Sequence, residues 1–372
     1  MTVYYLMISS MLFFSFFHRI NYRKLEFENY EHKSRHKHIW EVGRIQVSWN
    51  KAAFIVLFMM FLSIAGFRAM TVGKDVPQYA LIFSYRKNYG LIDSITGVEP
   101  LFNILNKIIG LFTENFQIVL FLYSALILTG PFYLIRKFSN NPYYSLFLYI
   151  TMGFQATSFS GIRTSMAMSV LCFAIVAAKE RNLWRFLLLV VLACLFHRTA
   201  IAFIIVYPMM NRRLTTKSIV ITLAAAVAAY CGGELFFQLL TKISLFSKYS
   251  IFIKKTGSIT YDLVILIVFL IVYFYYGQTK EKYGNVDFLY YMILMAFLVQ
   301  LLGAYNTNIM RLTYYFYMAA LVLIPNVFDS IGNIRERKIM YIAFSFLMVI
   351  QYLIVFRTGY GAENYLFFWE QA

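Results

Sequence analysis

Apolar runs of nearly membrane-spanning length recur along the whole chain, at 52–67, 116–135, 263–276, 288–303, 312–328 and 340–356. Each approaches the ~20 residues that cross the hydrocarbon layer as a helix. Lipid offers no partner for open backbone groups, and the runs lack the alternation and short turns of a barrel, so the spans must be helical. Of 372 residues, 60% are hydrophobic and 14% charged, with a mean hydropathy of +0.64. A soluble domain carries roughly 25% charged residues and has no core able to absorb this much apolar surface. The chain is therefore expected to be all-α, a polytopic integral membrane protein with a single transmembrane domain over 1–372.

The net charge of +17 would suggest nucleic acid in a soluble protein. In a membrane protein, Lys and Arg gather in loops kept on the cytoplasmic side, where they meet anionic lipids, and no basic run with interleaved aromatics forms a nucleic-acid groove. No nucleic-acid partner is expected; membrane lipids are. Cys172, Cys194 and Cys231 lie in or beside apolar segments without metal-ligand spacing and read as packing residues. Residues 1–17 lack a basic leader and a small-residue cleavage site, which predicts an uncleaved first span.

The stretch 19–51 holds eight of the 34 basic residues and four glutamates. As a basic cytoplasmic loop it fixes the N-terminus outside. Spans are then expected near 2–17, 52–67, 115–135, 142–158, 164–178, 183–196, 199–210, 218–231, 262–276, 287–304, 312–328 and 339–356: about twelve, with both termini on the outer side. This parity puts 21 basic residues inside and 13 outside. The runs 183–196 and 199–210 are short, and one long helix is the alternative. That alternative would move every later basic loop to the wrong side, so a tight or re-entrant pair with His197 and Arg198 at its outer tip is preferred. The outer stretches 68–114 and 232–261 are long enough for interfacial helices, notably an amphipathic run from Glu99 to Phe112. No internal repeat stands out, although an inverted repeat can leave a faint trace.

Exceptions to the charge rule carry the functional signal. Arg68, Arg163, Arg198 and Arg311 fall at outer span ends in different parts of the chain. Arginine at the membrane is costly unless it snorkels, pairs or meets an anion, and its planar fork suits bidentate phosphate contact. The four together point to a lipid diphosphate; snorkelling to headgroups is the plain alternative for each one. Lys74 and Asp75 follow Arg68 in a Gly-Lys-Asp turn. Asp75 could take a proton or a sugar hydroxyl, or pair with Arg68 or Lys74 to order the loop. Glu99 and Asp93 are further outer carboxylates that could form a pair of the soluble glycosidase kind, and Lys74 and Glu99 are candidate contacts to the glycan. His197, the only histidine beyond residue 38, is a candidate general base on an acceptor hydroxyl, with a hydrogen-bonded interface histidine as the alternative. Tyr79 and Tyr305 are candidate platforms for sugar rings. His18, His32, His36 and His38 suggest no metal spacing, and no P-loop, dinucleotide turn, nucleophile elbow or zinc motif occurs. No metal or cofactor is expected, and any donor must arrive activated.

The ordered set Gly66-Phe67-Arg68, Gly73-Lys74-Asp75 with Tyr79, Glu99-Pro100-Leu101-Phe102, Gly161-Ile162-Arg163, Phe196-His197 with Thr199-Ala200, and Asn308 to Arg311 resembles the EpsG-like family of bacterial exopolysaccharide proteins, a branch similar to the Wzy-type O-antigen and capsule polymerases. The resemblance runs from about residue 50 to 330. It implies a helical core like that of membrane-embedded GT-C-like glycosyltransferases, at the outer face of the cytoplasmic (inner) membrane. It implies transfer of a growing glycan from undecaprenyl diphosphate to a new lipid-linked repeat unit, without metal. Arg163, Arg198 and Arg311 would hold the diphosphate, and His197 or Asp75 would orient or deprotonate the acceptor. A chain-length regulator and a flippase of the same pathway are implied partners. Thr164 and Thr199 stand where the family often has Gln and Ser.

Two other classes use the same chemistry. A flippase or exporter of the lipid-linked glycan would carry its cations deep within spans, and here the spans are nearly free of charge. A ligase moving the finished glycan onto another acceptor would share the diphosphate site. A membrane acyltransferase lacks a His-Asp pairing at suitable depth, and a purely structural partner leaves the arginines without a purpose.

Overall fold

The computed structural model describes residues 2–15, 39–88, 90, 93, 99–241, 259–303, 305, 307–356 and 364–370. Among them the chain is helical, and the one extended pairing is an isolated antiparallel bridge between Arg68 and Phe367. The helices are α1 (Thr2–Ser15), α2 (Ile39–Gly66), α3 (Val76–Arg86), α4 (Pro100–Gly110), α5 (Phe116–Phe138), α6 (Pro142–Thr151), α7 (Phe154–Ser160), α8 (Ile162–Lys179) and α9 (Leu183–Phe196). There follow α10 (Arg198–Met209), wound as a tighter 3-10 helix as far as Ile205, then α11 (Thr216–Thr241), α12 (Ile259–Phe274), α13 (Tyr276–Tyr283), α14 (Asp287–Gly303), α15 (Thr307–Tyr317), α16 (Ala320–Ser330) and α17 (Ile334–Gln351).

Among the described residues each expected apolar run is largely helical, and five helical stretches are long and apolar enough to cross a membrane, six if the pair α12 and α13, bent by 63°, is one broken span. Length and composition thus support five or six of the twelve expected spans. The runs at 2–15, 52–66, 183–196, 198–209 and 287–303 are shorter apolar helices. The run 142–158 is split because Gly153 turns left-handed, at φ +85°, between α6 and α7. Polar caps set many starts: the side chains of Asn115, Asn141, Asn182 and Asn333 accept backbone N–H groups of α5, α6, α9 and α17. Pro100 and Pro142 occupy first turns, where a missing N–H costs nothing.

The expected loops are partly helix. In 19–51, α2 begins at Ile39, and residues 19–38 lie outside the described residues. In 232–261, α11 continues to Thr241 and 242–258 lie outside them. In 68–114 the amphipathic run is helix α4, which leaves Ile108 exposed on it and Leu111 and Phe112 exposed just beyond it.

Side-chain bonds sort the connections into two ends. At one, Asp329 gathers Lys282 at 2.7 Å, Tyr283 at 2.6 Å and Asn140 at 3.1 Å, and Glu180 takes Lys137 and Arg185 at 2.5 and 3.1 Å. At the other, Ala69 donates to Leu366 O and Phe368 to Phe67 O, while the ring of Tyr4 packs on Tyr365 and Phe159. The first and last described segments therefore share the end that holds Arg68.

The short pair is a hairpin. Tyr207, near the end of α10, donates to the Arg181 carbonyl before α9 begins, at 3.2 Å, and the Phe186 ring lies 5.2 Å from that of Tyr207. His197 is the break, extended at φ −155° and ψ 115°.

The crossing of α5 and α8 is close. Ser169 of α8 donates to Leu126 O at 2.6 Å and accepts the Gly130 N–H at 2.9 Å, inserting into the α5 ladder one residue before Pro131. A Cβ at Gly130 would land on the Ser169 carbonyl oxygen, which is backbone and cannot yield cheaply. Gly130→Ala should therefore lose about 1–3 kcal/mol, measured as a lowered midpoint of thermal unfolding in detergent. Gly232→Ala, on α11 with open space around it, should be neutral or slightly stabilising. Equal midpoints for the two variants would refute the close crossing.

Candidate functional site

At the end that carries Arg68, the loop before α4, the start of α8 and the tip of the α9–α10 hairpin meet on one carboxylate. Glu99 caps α4 in a left-handed conformation, φ 61° and ψ 65°. The following Pro100 disfavours ordinary helical geometry here, and a left-handed non-glycine residue is itself costly. The result aims the side chain inward, where it is only 4% exposed. One oxygen accepts from the Arg163 guanidinium and the other lies 2.5 Å from His197 Nδ1. Burial works against the Glu99 charge, but the hydrogen bond from His197 and the charge of Arg163 outweigh it and hold the carboxyl below the usual glutamate range.

Arg163 stands in the first turn of α8, which follows directly on Gly161. Its backbone N–H donates to Tyr79 OH at 3.4 Å and its guanidinium lies over the Tyr79 ring, 5.8 Å from the centroid. Its Nε is buried and has no hydrogen-bond partner among the described residues. His197 is anchored through Nδ1, which leaves Nε2 unengaged among the described residues and the ring 17% exposed. A carboxylate on Nδ1 fixes the tautomer with its free lone pair on Nε2.

A second ion pair flanks this triad. Arg311, on α15, lies 3.7 Å from Asp75. One turn on, Tyr315 OH meets Thr199 Oγ1 at 3.2 Å, tying α15 to the residue two beyond His197. Arg198 and Lys74 are exposed, and neither side chain is bonded among the described residues; the Lys74 backbone N–H donates to Ser160 Oγ at 3.1 Å. These four pairings, with the exposed Arg198 and Lys74 beside them, make a cation-rich cluster, the mouth of the candidate site.

Three candidates sit differently from expectation. Arg68 is 1% exposed and turned inward. It bonds to the Ala65 carbonyl, to Val72 O at 3.3 Å, to Ser124 Oγ at 3.1 Å and to Phe159 O at 3.5 Å, with its guanidinium 4.6 Å from the Phe159 centroid. It is thus held by the protein and does not reach the mouth. Asp75 consequently pairs with Arg311 rather than with Arg68 or Lys74. Tyr305 is buried, donates to the Tyr230 carbonyl and packs against Gly233, so it joins α11 to the end of α14 instead of offering a face. Tyr79 is also buried, edge-on to Phe102, and supports Arg163 from below. Asp93 is described, but it is not brought to the triad by any bond.

Sequence reading overlooked Glu99 as the centre of the site and missed Tyr315. The one available signal was a glutamate immediately before a proline, at the start of an amphipathic run. Among the described residues no three of His, Cys, Asp and Glu gather as metal ligands.

The depressed Glu99 pKa fixes a pH dependence. A carboxyl held below its unfolded value stabilises the fold fully above about pH 4.3 and loses that contribution as pH falls through the native value. Wild type should therefore lose thermal stability on acidification below about pH 4.3, and Glu99→Gln should lack that part of the acid limb. Glu99→Ala, which leaves a partly buried arginine unpaired, should cost about 2–3 kcal/mol at pH 7. An acid limb unchanged in Glu99→Gln would contradict this linkage.

A family model described as the EpsG family matches residues 51–368 of the chain. No curated protein and no solved structure matches it.

Proposed function

The chain belongs to the EpsG family, and on that footing we propose that it is a membrane glycosyltransferase, a polymerase that joins undecaprenyl-diphosphate-linked repeat units into a surface polysaccharide. The observation that carries this reading is the single carboxylate of Glu99 holding a general-base candidate and an arginine side by side at the mouth. Family membership supports the polymerase class; the donor, its lipid and the outer face of the cytoplasmic membrane are part of the proposal, as are a chain-length regulator and a flippase as partners.

In this mechanism an acceptor sugar hydroxyl lies against Nε2 of His197. As its oxygen attacks the anomeric carbon of the donor, its proton passes to Nε2, and the carboxylate on Nδ1 stabilises the imidazolium that forms. The bond from the anomeric carbon to the diphosphate oxygen breaks. Charge developing on the departing diphosphate is met by Arg311, Arg198 and the outer edge of Arg163, with Lys74 nearby. Asp75 positions Arg311 and so acts through it. Arg68 takes no part in these contacts.

The test is a product ladder from purified protein and its cognate lipid-linked repeat unit, read on a gel. His197→Ala should lower the rate by about 10²–10⁴-fold, and Arg163→Ala and Arg311→Ala by about 10²–10³-fold, each in protein that elutes and melts as folded. A wild-type protein that makes no ladder yet moves the lipid across vesicles would make this an exporter and the arginines its substrate clamp.

A further inference from the structure

The end of the bundle opposite the Glu99 triad holds a second cationic site that the glycosyl-transfer reading does not use. A concavity of about 580 Å³ lies between the turn before α9, the turn after α10 and the loop joining α13 to α14. Arg181, Arg212 and Arg213 line it. All three are exposed, and their side chains have no acidic partner among the described residues. The acid in the wall, Asp287, is already engaged by Lys280 at 3.0 and 3.2 Å and by Tyr276 OH. The concavity therefore keeps its full positive charge.

The backbone that presents these arginines is fixed. The Arg181 carbonyl accepts from Tyr207 OH at 3.2 Å and the Arg213 carbonyl from Tyr291 OH at 2.9 Å. Arg181 itself is left-handed, φ 60°, in a helix-ending turn where Asn182 N–H returns to Ala177 O. Glycine suits that position, and an arginine there is strained. Such strain is retained where the side chain has a use.

The surface around the mouth carries the residues expected at the level of lipid headgroups. Trp184, the second residue of α9, is 81% exposed, with Leu183 and Leu188 exposed on the same helix, and Val220 and Ile221 are exposed on α11. Exposed tryptophan followed by exposed aliphatics marks the boundary between headgroup and acyl chain. A basic hollow between helices at that boundary has the shape and charge to take a phosphate headgroup.

We propose that this hollow binds the phosphate of an anionic phospholipid, and that the bound lipid adds a second tie across the base of the α9–α10 hairpin whose tip carries His197. Base and tip are about 20 Å apart, from the rise of α9, so the lipid never meets the reacting groups. It restrains the hairpin by bridging Arg181 on one arm to Arg212 and Arg213 just beyond the other.

Native mass spectrometry and thermal melting of the purified full chain test this, with phosphatidylglycerol, phosphatidylcholine and inorganic phosphate as probes. Phosphatidylglycerol should be retained and should raise the melting point more than phosphatidylcholine. The triple variant Arg181→Gln, Arg212→Gln, Arg213→Gln should bind it about tenfold more weakly or worse. A control that removes three unpaired cations from the same end, Arg136→Gln, Arg335→Gln, Lys338→Gln, should bind as wild type. Arg181→Gly separates backbone from guanidinium: it should melt higher without lipid and gain less from phosphatidylglycerol. Equal loss in both triples would reduce the site to general surface charge, and stabilisation by inorganic phosphate but not by phosphatidylglycerol would make the ligand aqueous; either result overturns the assignment.

Discussion

A carboxylate withdrawn from water must find partners, and the site is organised by how Glu99 finds its own. Desolvation of an isolated carboxylate costs several kcal/mol, more than any single hydrogen bond returns. Glu99 resolves this by taking an arginine from the start of α8 and an imidazole from the tip of the α9–α10 hairpin. Three stretches of chain separated by 64 and 98 residues are brought to one point. The left-handed backbone at Glu99 and the extended break at His197 are local irregularities that accompany this convergence.

Arg68 shows the opposite solution for a buried charge. Its guanidinium spends its donors on carbonyls and a hydroxyl, without an anion. In doing so it fastens the loop after α2 to the end of α7, two residues before Gly161. The same loop approaches so closely that a Cβ at Gly73 would strike the Phe159 carbonyl. Arg68 is therefore one step removed from function: it fixes the loop that carries Asp75 and the segment that leads into Arg163. Two arginines with the same sequence signature, at the same end of the bundle, are distinguished by which one finds enough carbonyls to be satisfied.

Composition and periodicity made the helices legible, because an apolar run of sufficient length has few alternatives in lipid. They did not set where every run breaks: Gly153 splits 142–158 without changing its hydropathy, whereas the break at His197 was expected from the two short runs that meet there. The arginines stood out in the sequence as exceptions to charge placement, and the fold pairs Arg163 with Glu99 and Arg311 with Asp75 while leaving Arg198 exposed. Their partners were not legible. Asp75 lies next to Arg68 and Lys74 in sequence yet pairs with Arg311, 236 positions away, and Glu99 reads as one more outer acid until the fold buries it. Tyr79 and Tyr305 illustrate the same limit: a tyrosine at a loop looks like a sugar platform, but whether its face is open depends on what packs over it.

The length of the hairpin bears on how its tip is held. At 1.5 Å per residue the fourteen residues of α9 rise about 21 Å, less than the ~30 Å of a hydrocarbon layer. At the tip the His197 side chain is only 17% exposed, so its imidazole has little water to bond, and Glu99 from the loop before α4 supplies a partner on Nδ1. The shortness that made 183–210 difficult to assign from sequence thus belongs to the hairpin that delivers the imidazole to its carboxylate and leaves Nε2 unengaged among the described residues.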